Sequence, residues 1–579
     1  MASSGRPRRQ CAPDERALRR IYDLEDNSEE GEETEEDIND SESDSSDDEL
    51  VSNDEEEREE EEEEMEEVEN EENGEQNSFL GRNGMIWNKI PPTIRRSRAV
   101  DIIRFREGQT VHTSSIFDSF GLFITEEIVL KIVMYTNLFA ATFEEGWCRE
   151  RWKDTNPVEI RAFIGCLLFI GVFRARHESY DELWSQDFGR SWLQSTMSLM
   201  RFKLLSKFIR FDDKSTKENR HQRDKLAAIR DVWEMFLCRC RLCYTVGSHV
   251  TIDEELVGFR GKCPFRVYMR SKPDRYGMKI WCLCDVNTGY LYNAQVYLGK
   301  EGHLPEIGQG QRVVLDLAQP LFGSGRNITT DNFFTSIPLT TALLKEKLTL
   351  LGTLRANKSE IPRQFQKDNA REVYSSLFAF TRDMSLVSYV PSKGKNVLLL
   401  SSMHHAPEMS TREYRKPSII LDYNASKGAV DTFDQCIHTY SSSRQTRRWP
   451  TKLFFNIVDS AAFNGFVMWT KNNPSWNSAK KFRRRLYLQE LAKSLMRPLV
   501  MQRLQDRKLN LNTKNSIQSL GIEIPHPVAP EADAGGDVAA RGRCHICPKR
   551  NQVKVRCQVC SRFVCKEHSL RRPMCDKCN

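Results

Sequence analysis

The charge of this chain is divided between two parts of very different character. Residues 1–76 contain 34 Asp and Glu but only 7 Lys and Arg, and the acidic run at 54–72 is nearly unbroken. A segment of this composition has little apolar surface to bury, so we predict that it is disordered. The remaining residues hold 78 basic and 48 acidic side chains, a net charge near +30. A body this basic favours a polyanionic partner, because each cation placed on a phosphate releases counterions.

Cysteine usage and hydropathy exclude two broad classes of protein. The Arg-rich N-terminus lacks the apolar stretch of a signal peptide, and the longest apolar run, residues 162–173, is too short to span a bilayer. We therefore expect no membrane partner. Ten of the 17 cysteines are scattered, whereas seven lie in the last 36 residues. This distribution predicts a reducing compartment and a metal site, not a secreted disulfide framework.

The C-terminal cysteines are spaced like metal ligands. Eight candidate ligands form four close pairs, which predicts two tetrahedral Zn²⁺ sites, each built from two pairs. The short gaps favour an interleaved cross-brace in which the first and third pairs share one ion, and a sequential arrangement stays open. His545 lies inside the first pair and is interpreted as a bystander. The candidate ligands are Cys544, Cys547, Cys557, Cys560, Cys565, His568, Cys575 and Cys578.

Periodicity divides the basic body into a helical part and a mixed part. Asn156 before Pro157 is typical of a helix start, since the first can cap and the second suits the first helical position. Residues 102–248 are predicted to be all-helical, with helices at 126–143, 157–173, 192–211 and 225–244. The pattern then changes to strands at 249–259, 278–284, 290–297, 327–330 and 348–354, with a helix at 312–321.

Three short segments in the second half of the body carry carboxylates. They are Thr-Ile-Asp-Glu-Glu at 251–255, Thr-Asp-Asn-Phe-Phe-Thr-Ser at 330–336 and Gly-Ala-Val-Asp-Thr-Phe-Asp-Gln at 428–435. Each supplies an Asp at the end or in the middle of a predicted buried element. A lone Asp is more often a cap, a turn or a salt bridge. Carboxylates from separate elements, however, are what a pair of hard divalent cations needs for phosphoryl transfer.

These three segments, in this order and spacing, resemble the piggyBac transposase family, and the resemblance runs from about residue 100 to the C-terminus. It implies an RNase H-like catalytic core with an insertion domain, a helical DNA-binding and dimerisation domain, and a C-terminal cross-brace zinc finger. The implied parts are a disordered acidic region and linker (1–101), the helical domain (102–248 and 441–524), the catalytic domain (249–356 and 421–440), the insertion domain (357–420), a linker (525–540) and the zinc-binding DNA-recognition domain (541–579).

The same resemblance implies an activity. Members are cut-and-paste DNA transposases that bind terminal inverted repeats and carry out metal-dependent cleavage and transfer at TTAA. Asp253, Asp331 and Asp431 would be catalytic and hold two Mg²⁺ or Mn²⁺ ions. Asp434 would be a fourth functional carboxylate or would support Asp431. The expected partners are double-stranded DNA and a second copy of the chain, with no nucleotide cofactor, and the expected location is the nucleus.

Candidate DNA contacts follow from the family and from local chemistry. A basic cluster beside an aromatic ring suits phosphate contact and base stacking, although the Trp could equally pack at a helix start, and the Asn could equally cap a helix. The candidates are Asn332, Arg444, Arg447, Arg448 and Trp449. A second basic stretch, residues 270–279, is either functional or only solvated charge. Glu254 and Glu255 are expected to form salt bridges.

Two other functions remain as alternatives. The first is a domesticated descendant that binds nuclear DNA or chromatin but no longer transposes. The second is a ubiquitin ligase or histone reader built around the zinc-binding tail, which leaves the three Asp residues unexplained. An autoubiquitination or histone-peptide assay would distinguish this last function from a transposase.

Overall fold

The computed structural model describes the body of the chain and parts of its C-terminal tail. The described residues are 77–93, 105, 107–143, 151–216, 220, 222–299, 306–411, 414–506, 509–522, 542–547, 552–557 and 562–569. The acidic segment 1–76, the linker 525–540 and the predicted ligands Cys560, Cys575 and Cys578 lie outside them.

Helices form most of the layer that surrounds the sheet. They are α1 Ile116–Gly121, α2 Glu126–Ala141, α3 Pro157–Val172, α4 Tyr180–Leu183, α5 Ser191–Thr196, α6 Leu199–Phe208, α7 Arg230–Cys243, α8 Gln309–Ala318, α9 Ile337–Lys345, α10 Ser418–Lys427, α11 Ala429–Thr439, α12 Trp449–Asn472, α13 Arg483–Leu504 and α14 Leu511–Ser519. Within the described part of the chain, no helix combines the length and apolar character that crossing a bilayer requires.

Strands are concentrated between residues 244 and 401. They are β1 Ser78–Leu80, β2 Ile86–Asn88, β3 Gly108–Gln109, β4 Tyr244–Thr245, β5 His249–Gly258, β6 Val267–Tyr268, β7 Tyr276–Asp285, β8 Leu291–Val296, β9 Asn327–Thr330, β10 Thr349–Thr353, β11 Ser376–Phe380, β12 Ser385–Tyr389, β13 Val397–Ser401, β14 Gly542–Arg543 and β15 Gln552–Val553.

One large mixed sheet organises the molecule. Its strand order is β1-β2-β11-β12-β13-β10-β9-β5-β7-β6, and β8 also pairs with β7. The central strands β5, β9 and β10 are parallel, with Ile252 of β5 and Gly352 of β10 both opposite Thr330 of β9. The other pairings in the sheet are antiparallel. The parallel centre brings the ends of β5 and β9 to one place.

Local sequence signals account for several of these elements. The side chain of Asn156 accepts a hydrogen bond from the Glu159 N–H at 3.0 Å, and Pro157 starts α3, as predicted. The turn between β7 and β8 is closed by Asp285, which accepts bonds from the Thr288 N–H and hydroxyl, and Gly289 takes a φ of +63° there. A residue with a side chain would be strained at that φ.

The predicted helix at 192–211 is wrong in one respect. The structure has two helices there, α5 and α6, and Ser198 lies between them. Its side chain accepts a hydrogen bond from the Arg201 N–H at 3.2 Å and so caps α6. The break follows from this cap, which the apolar periodicity alone did not reveal.

Residues 357–420, predicted as an insertion domain, are continuous with the sheet. Strands β11, β12 and β13 form an antiparallel meander, and β13 pairs with the central strand β10. The interval therefore extends the large sheet at one side. The domain boundaries themselves stay a prediction.

Residues 77–93 depart from the disordered region and linker predicted for 1–101. They contain the hairpin of β1 and β2, which joins the sheet where Asn88 pairs with Phe380. Trp87 is fully buried, and its indole N–H donates to the Glu360 carbonyl at 2.9 Å. Burial of so large a ring fixes the hairpin against the extended sheet.

The helical layer packs around α3, which is buried along nearly all of its length. Helix α13 approaches it closely at Gly165, where an added Cβ would lie 2.9 Å from the Ala492 carbonyl oxygen. Helix α12 joins this layer to the sheet, since the Asn464 amide exchanges hydrogen bonds of 3.0 and 2.9 Å with the backbone of Leu291. The sheet and the helices share one hydrophobic core.

Candidate functional site

The parallel pairing of β5 and β9 places two of the predicted carboxylates side by side. Ile252 of β5 lies opposite Thr330 of β9. Asp253 is the next residue of β5, and Asp331 follows the last residue of β9. Because side chains alternate along a strand, Asp253 is on the same face of β5 as Thr251. This face of the sheet is covered by helices.

Ser426 of helix α10 accepts hydrogen bonds from both of these strands. The Thr251 hydroxyl donates to the Ser426 carbonyl, and the Thr329 hydroxyl donates to the Ser426 hydroxyl at 2.8 Å. Gly428 follows directly and separates α10 from α11. The first turn of α11 then carries Asp431 towards Asp253 and Asp331. The charges of Asp331 and Asp431 both act on Asp253, so the three predicted Asp residues are neighbours. Within the described residues their oxygens are not all within 4.8 Å of one another, and their catalytic role stays a prediction.

The grouped carboxylates leave negative charge that is only partly compensated. Burial raises the pKa of Asp253 well above its usual range, and the charges of Glu254, Asp331 and Asp431 raise it further, while Lys272 opposes them. A hard divalent cation prefers carboxylate oxygens as ligands and would relieve the repulsion among them.

Asp331 has a second set of contacts that fix its orientation. Its Oδ1 accepts a hydrogen bond from the Phe333 N–H at 3.0 Å. Burial and the charge of Glu254 raise the pKa of Asp331 to about 6, although this N–H, that of Phe334 and the nearby Lys279 oppose the shift. The following helix α9 is capped by Ser336, so Asn332 does not cap it.

Lys272 is a member of this site that the sequence left undecided. Its Nζ donates to the Glu254 carbonyl at 3.2 Å. Burial lowers the pKa of Lys272, but the charges of Glu254, Asp253, Asp431 and Asp434 outweigh it and raise the pKa overall. The ammonium group is therefore a counter-charge to the carboxylates. Nothing in the sequence distinguishes it from Arg270 or Arg275 in the same basic stretch.

The expected salt bridges of Glu254 and Glu255 have different outcomes. Glu254 has one, because its Oε2 lies 3.8 Å from the Lys279 Nζ. Glu255 has no ion pair within the described residues and is instead 1% exposed, with its Oε1 accepting a bond from the Asn456 amide at 2.6 Å. Burial and the charge of Asp434 raise the pKa of Glu255 to about 8. Burial and Asp434 thus favour the neutral, protonated form of this side chain.

Asp434 lies one turn further along α11 than Asp431 and has its own partner. The His438 Nδ1 is 2.7 Å from the Asp434 Oδ1. Burial works against the charged imidazole, but the hydrogen bond to Asp434 and the charges of Asp434 and Glu255 raise the pKa of His438 to about 9. These contacts favour a supporting role for Asp434 over that of a fourth functional carboxylate.

Two of the predicted DNA-contacting arginines are used inside the protein. The guanidinium of Arg444 donates to the carbonyls of Ala175 and Glu178 at 2.7 and 2.6 Å. The guanidinium of Arg448 donates to the Lys207 carbonyl at 3.2 Å and to the Ile209 carbonyl. Both arginines therefore satisfy backbone carbonyls that end helices or turns, and their contact with DNA stays a prediction.

The remaining members of this segment differ in exposure. Trp449 is only 8% exposed and packs edge-on against Phe265, with ring centroids 4.9 Å apart. This is the packing role that the sequence left open. Arg447 is exposed, whereas Arg448 is half-buried and Arg444 is buried.

The C-terminal tail contains one complete group of soft ligands within the described residues. The ligand atoms of Cys544, Cys547, Cys565 and His568 all lie within 4.8 Å of one another. These are the first and third of the predicted pairs, the grouping that the interleaved arrangement requires. Three thiols and one imidazole in this grouping suit tetrahedral Zn²⁺. Cys557 belongs to the other predicted site, whose remaining ligands lie outside the described residues.

Two details support this grouping of ligands. Burial opposes ionisation of Cys544, but the N–H groups of Ile546, Cys547 and Cys565 outweigh it and lower the pKa of the thiol to about 6. The thiolate is the form that binds a metal. The Nδ1 of His545 is 3.1 Å from the Phe563 carbonyl, so this His hydrogen-bonds outside the group.

Comparison with known proteins finds a matching family model and similar human proteins. The family model described as Transposase IS4 matches residues 117–466. The human PiggyBac transposable element-derived protein 3 is 24% identical over 359 residues, 58% of each chain, and the human protein 2 of that name is 22% identical over 371 residues, 60% of each chain. The matches thus span less than two thirds of these curated relatives.

A solved structure matches over more of the molecule. It is the cryo-EM structure of a piggyBac transposase synaptic complex with hairpin DNA, which is 35% identical, with a TM-score of 0.70, and the match covers 82% of this chain and all of that chain. The fold and the family match define a transposase-type protein. This chain belongs to the piggyBac family of transposases.

Proposed function

We propose that this protein is a cut-and-paste DNA transposase that binds the terminal inverted repeats of its element and cuts and joins DNA at TTAA. One observation carries the proposal: Asp253, Asp331 and Asp431, from three separate segments, are near enough that the charges of Asp331 and Asp431 raise the pKa of Asp253. The 35% identity to a transposase solved with hairpin DNA supports it further.

The catalytic core is proposed to be RNase H-like. The strand order β8-β7-β5-β9-β10, with three antiparallel strands followed by parallel β9 and β10, supports this assignment. In this arrangement Asp253 is on β5, Asp331 directly follows the end of the adjacent strand β9, and Asp431 is on helix α11, which contacts β5.

The site residues fit two Mg²⁺ or Mn²⁺ ions, because three oxygen donors are held together at an electrostatic cost that a cation would relieve. Asp253, Asp331 and Asp431 would hold the ions, which when bound activate an attacking oxygen and stabilise a leaving oxygen. Lys272 neutralises part of the carboxylate charge and can meet a DNA phosphate at the edge of the site. The N–H of Phe333 keeps Asp331 in one orientation.

The zinc-binding tail is proposed to select the DNA that the core cuts. One Zn²⁺ would be held by the group of Cys544, Cys547, Cys565 and His568, and a second by Cys557 with Cys560, Cys575 and Cys578. We propose that two copies act together, one at each DNA end, and that they act in the nucleus, where the DNA substrate is.

The test has two stages. Full-length protein first selects a preferred end sequence from a random duplex library. That duplex is then incubated with protein, Mg²⁺ and a supercoiled plasmid, and the joined products are sequenced. The proposal predicts covalent joining with TTAA at the junctions. Joining at unrelated sequences would overturn the TTAA assignment but leave a transposase.

A domesticated DNA-binding protein is the second candidate, because the human relatives matched here are described as transposable element-derived. This alternative predicts that the protein selects a DNA sequence from the library but gives no cut or joined product with the plasmid. The three retained carboxylates favour the active enzyme.

A further inference from the structure

A cavity of about 660 Å³ opens beside the carboxylates, and both acidic and basic side chains line it. Asp431 and Asp434 of α11 lie on one wall. Arg174, Arg176 and His177, from the turn after α3, lie on another, and each of these three is exposed. The cationic wall thus stands beside the site where DNA is proposed to be cut.

The turn that carries the cationic wall has an unusual backbone. Arg174 takes a φ of +52°, a conformation in which glycine is usual. Its N–H bonds to the Gly171 carbonyl at 2.9 Å, and the Ala175 N–H bonds to the Ile170 carbonyl at 3.1 Å, which closes the end of α3. The Arg174 guanidinium lies 5.6 Å from the ring centre of Tyr440, which keeps this cation beside the end of α11.

The turn is held in place by a residue that the sequence had suggested for DNA contact. Arg444 donates to the carbonyls of Ala175 and Glu178, and its guanidinium lies 4.8 Å from the ring centre of Tyr180. At the start of the turn, a Cβ on Gly171 would lie 2.5 Å from the Tyr440 carbonyl oxygen, so the end of α3 touches the chain after α11. The cationic wall and α11 are therefore fixed relative to each other.

We propose that this cavity binds unpaired nucleotides of the DNA strand next to the scissile phosphate, with Arg174 and Arg176 on their phosphates. The volume suits one or two nucleotides and is far too small for a duplex. Guanidinium groups are well matched to phosphate oxygens. The apolar side chains of Leu256 and Pro273 also line the cavity and give the sugar or base a surface. This inference rests on the proposed function.

The test compares binding of two DNA probes that differ only in single-stranded character. One is a blunt duplex of the selected end sequence, and the other carries a four-nucleotide single-stranded extension. Binding is titrated with salt, in EDTA so that the DNA is not cut. The test variant is Arg174→Gln with Arg176→Gln. The matched control is Lys393→Gln with Lys395→Gln, which removes two exposed charges at the same spacing from a turn outside the cavity.

Wild type should bind the extended probe more tightly than the blunt one and show a steeper salt dependence for it. The Arg174/Arg176 variant should lose the preference, and its salt slope for the extended probe should fall by about 1.4, at about 0.7 for each single-strand phosphate, while that for the blunt probe stays unchanged. The control variant should keep the preference. Equal preference in wild type and the Arg174/Arg176 variant would overturn the inference while leaving DNA binding intact. Failure of wild type to bind either probe would instead contradict the proposed function.

Discussion

Arg444 and Arg447 are three residues apart in sequence but have opposite surroundings. Arg444 bonds two backbone carbonyls in the interior, whereas Arg447 is exposed. We expect Arg444→Gln to lower the free energy of unfolding by about 2 kcal/mol or more, because two charged hydrogen bonds are lost. Arg447→Gln should change stability by less than about 0.5 kcal/mol and lower the salt slope of DNA binding by about 1.

Urea unfolding and salt-dependent DNA binding of both variants check this prediction. The opposite result, an unchanged stability but a lower salt slope for Arg444→Gln, would show that Arg444 contacts DNA after all.

Glu255 makes the stability of the folded protein depend on pH. Its carboxyl group ionises near pH 4.5 in the unfolded chain but near pH 8 in the folded protein, because burial and Asp434 disfavour the charge. Between these values the folded state binds more protons, so this group makes stability fall as pH rises from about 5 to 8. Glu255→Gln removes the proton linkage and keeps the bond to Asn456.

Thermal unfolding from pH 5 to 8 measures the effect. Relative to wild type, Glu255→Gln should gain stability as pH rises, by at least about 1 kcal/mol at pH 8. Glu372→Gln, at an exposed Glu, is the control and should show no such gain. A constant difference between Glu255→Gln and wild type at every pH would show that Glu255 is ionised throughout.

The sequence identified candidate site residues better than it predicted the contacts that each side chain makes. Asp253, Asp331 and Asp431 were identifiable because each lies in a local segment that resembles the family. The roles of Glu255, Lys272 and Arg444 depend on partners far away in sequence, such as Asn456, which is 201 residues from Glu255. No local pattern distinguishes a basic residue that neutralises carboxylates from one that is solvated.

The predicted zinc-ligand pairs of the tail can be tested by substitution. Cys547→Ser should release about one Zn²⁺ per chain, because a tetrahedral site loses one of its four ligands. His545→Ala changes the neighbouring position, whose side chain bonds the Phe563 carbonyl, and should keep the full zinc content. Metal analysis of the two purified variants makes the comparison. Equal zinc contents in both variants would place the ion on other ligands.

Elements with strong local signals agree with their predictions. The cap at Asn156, the strands β5, β7, β8, β9 and β10 and the turn at Gly289 all follow from short-range patterns. The hairpin of β1 and β2 did not, because it is fixed by Trp87, whose partner Glu360 lies 273 residues away. The joining of β13 to β10 likewise follows from tertiary pairing.

The charge division of the whole molecule leads to a prediction about DNA affinity. The acidic segment should compete with DNA for the basic body, so deleting residues 1–76 should tighten DNA binding at low salt. We expect at least a threefold effect at about 50 mM salt that shrinks at about 200 mM, because salt screens both interactions. A variant with neutral residues in place of the acidic run 54–72 should behave like the deletion. Unchanged affinity in both would leave the segment as a solubilising tail.

We propose that the carboxylates of Asp253 on β5, Asp331 just after β9 and Asp431 on α11 form one metal-dependent DNA-cleaving site. The most direct measurement is cleavage of the selected end duplex in Mg²⁺ by wild type, Asp253→Asn, Asp331→Asn and Asp431→Asn. Asp316→Asn, on the surface of α8 and paired with Arg312, is the control. We expect cleavage by wild type and the control, and a loss of at least about 100-fold in each of the other three with DNA binding retained. Cleavage at the wild-type rate by any one of those three variants would contradict it.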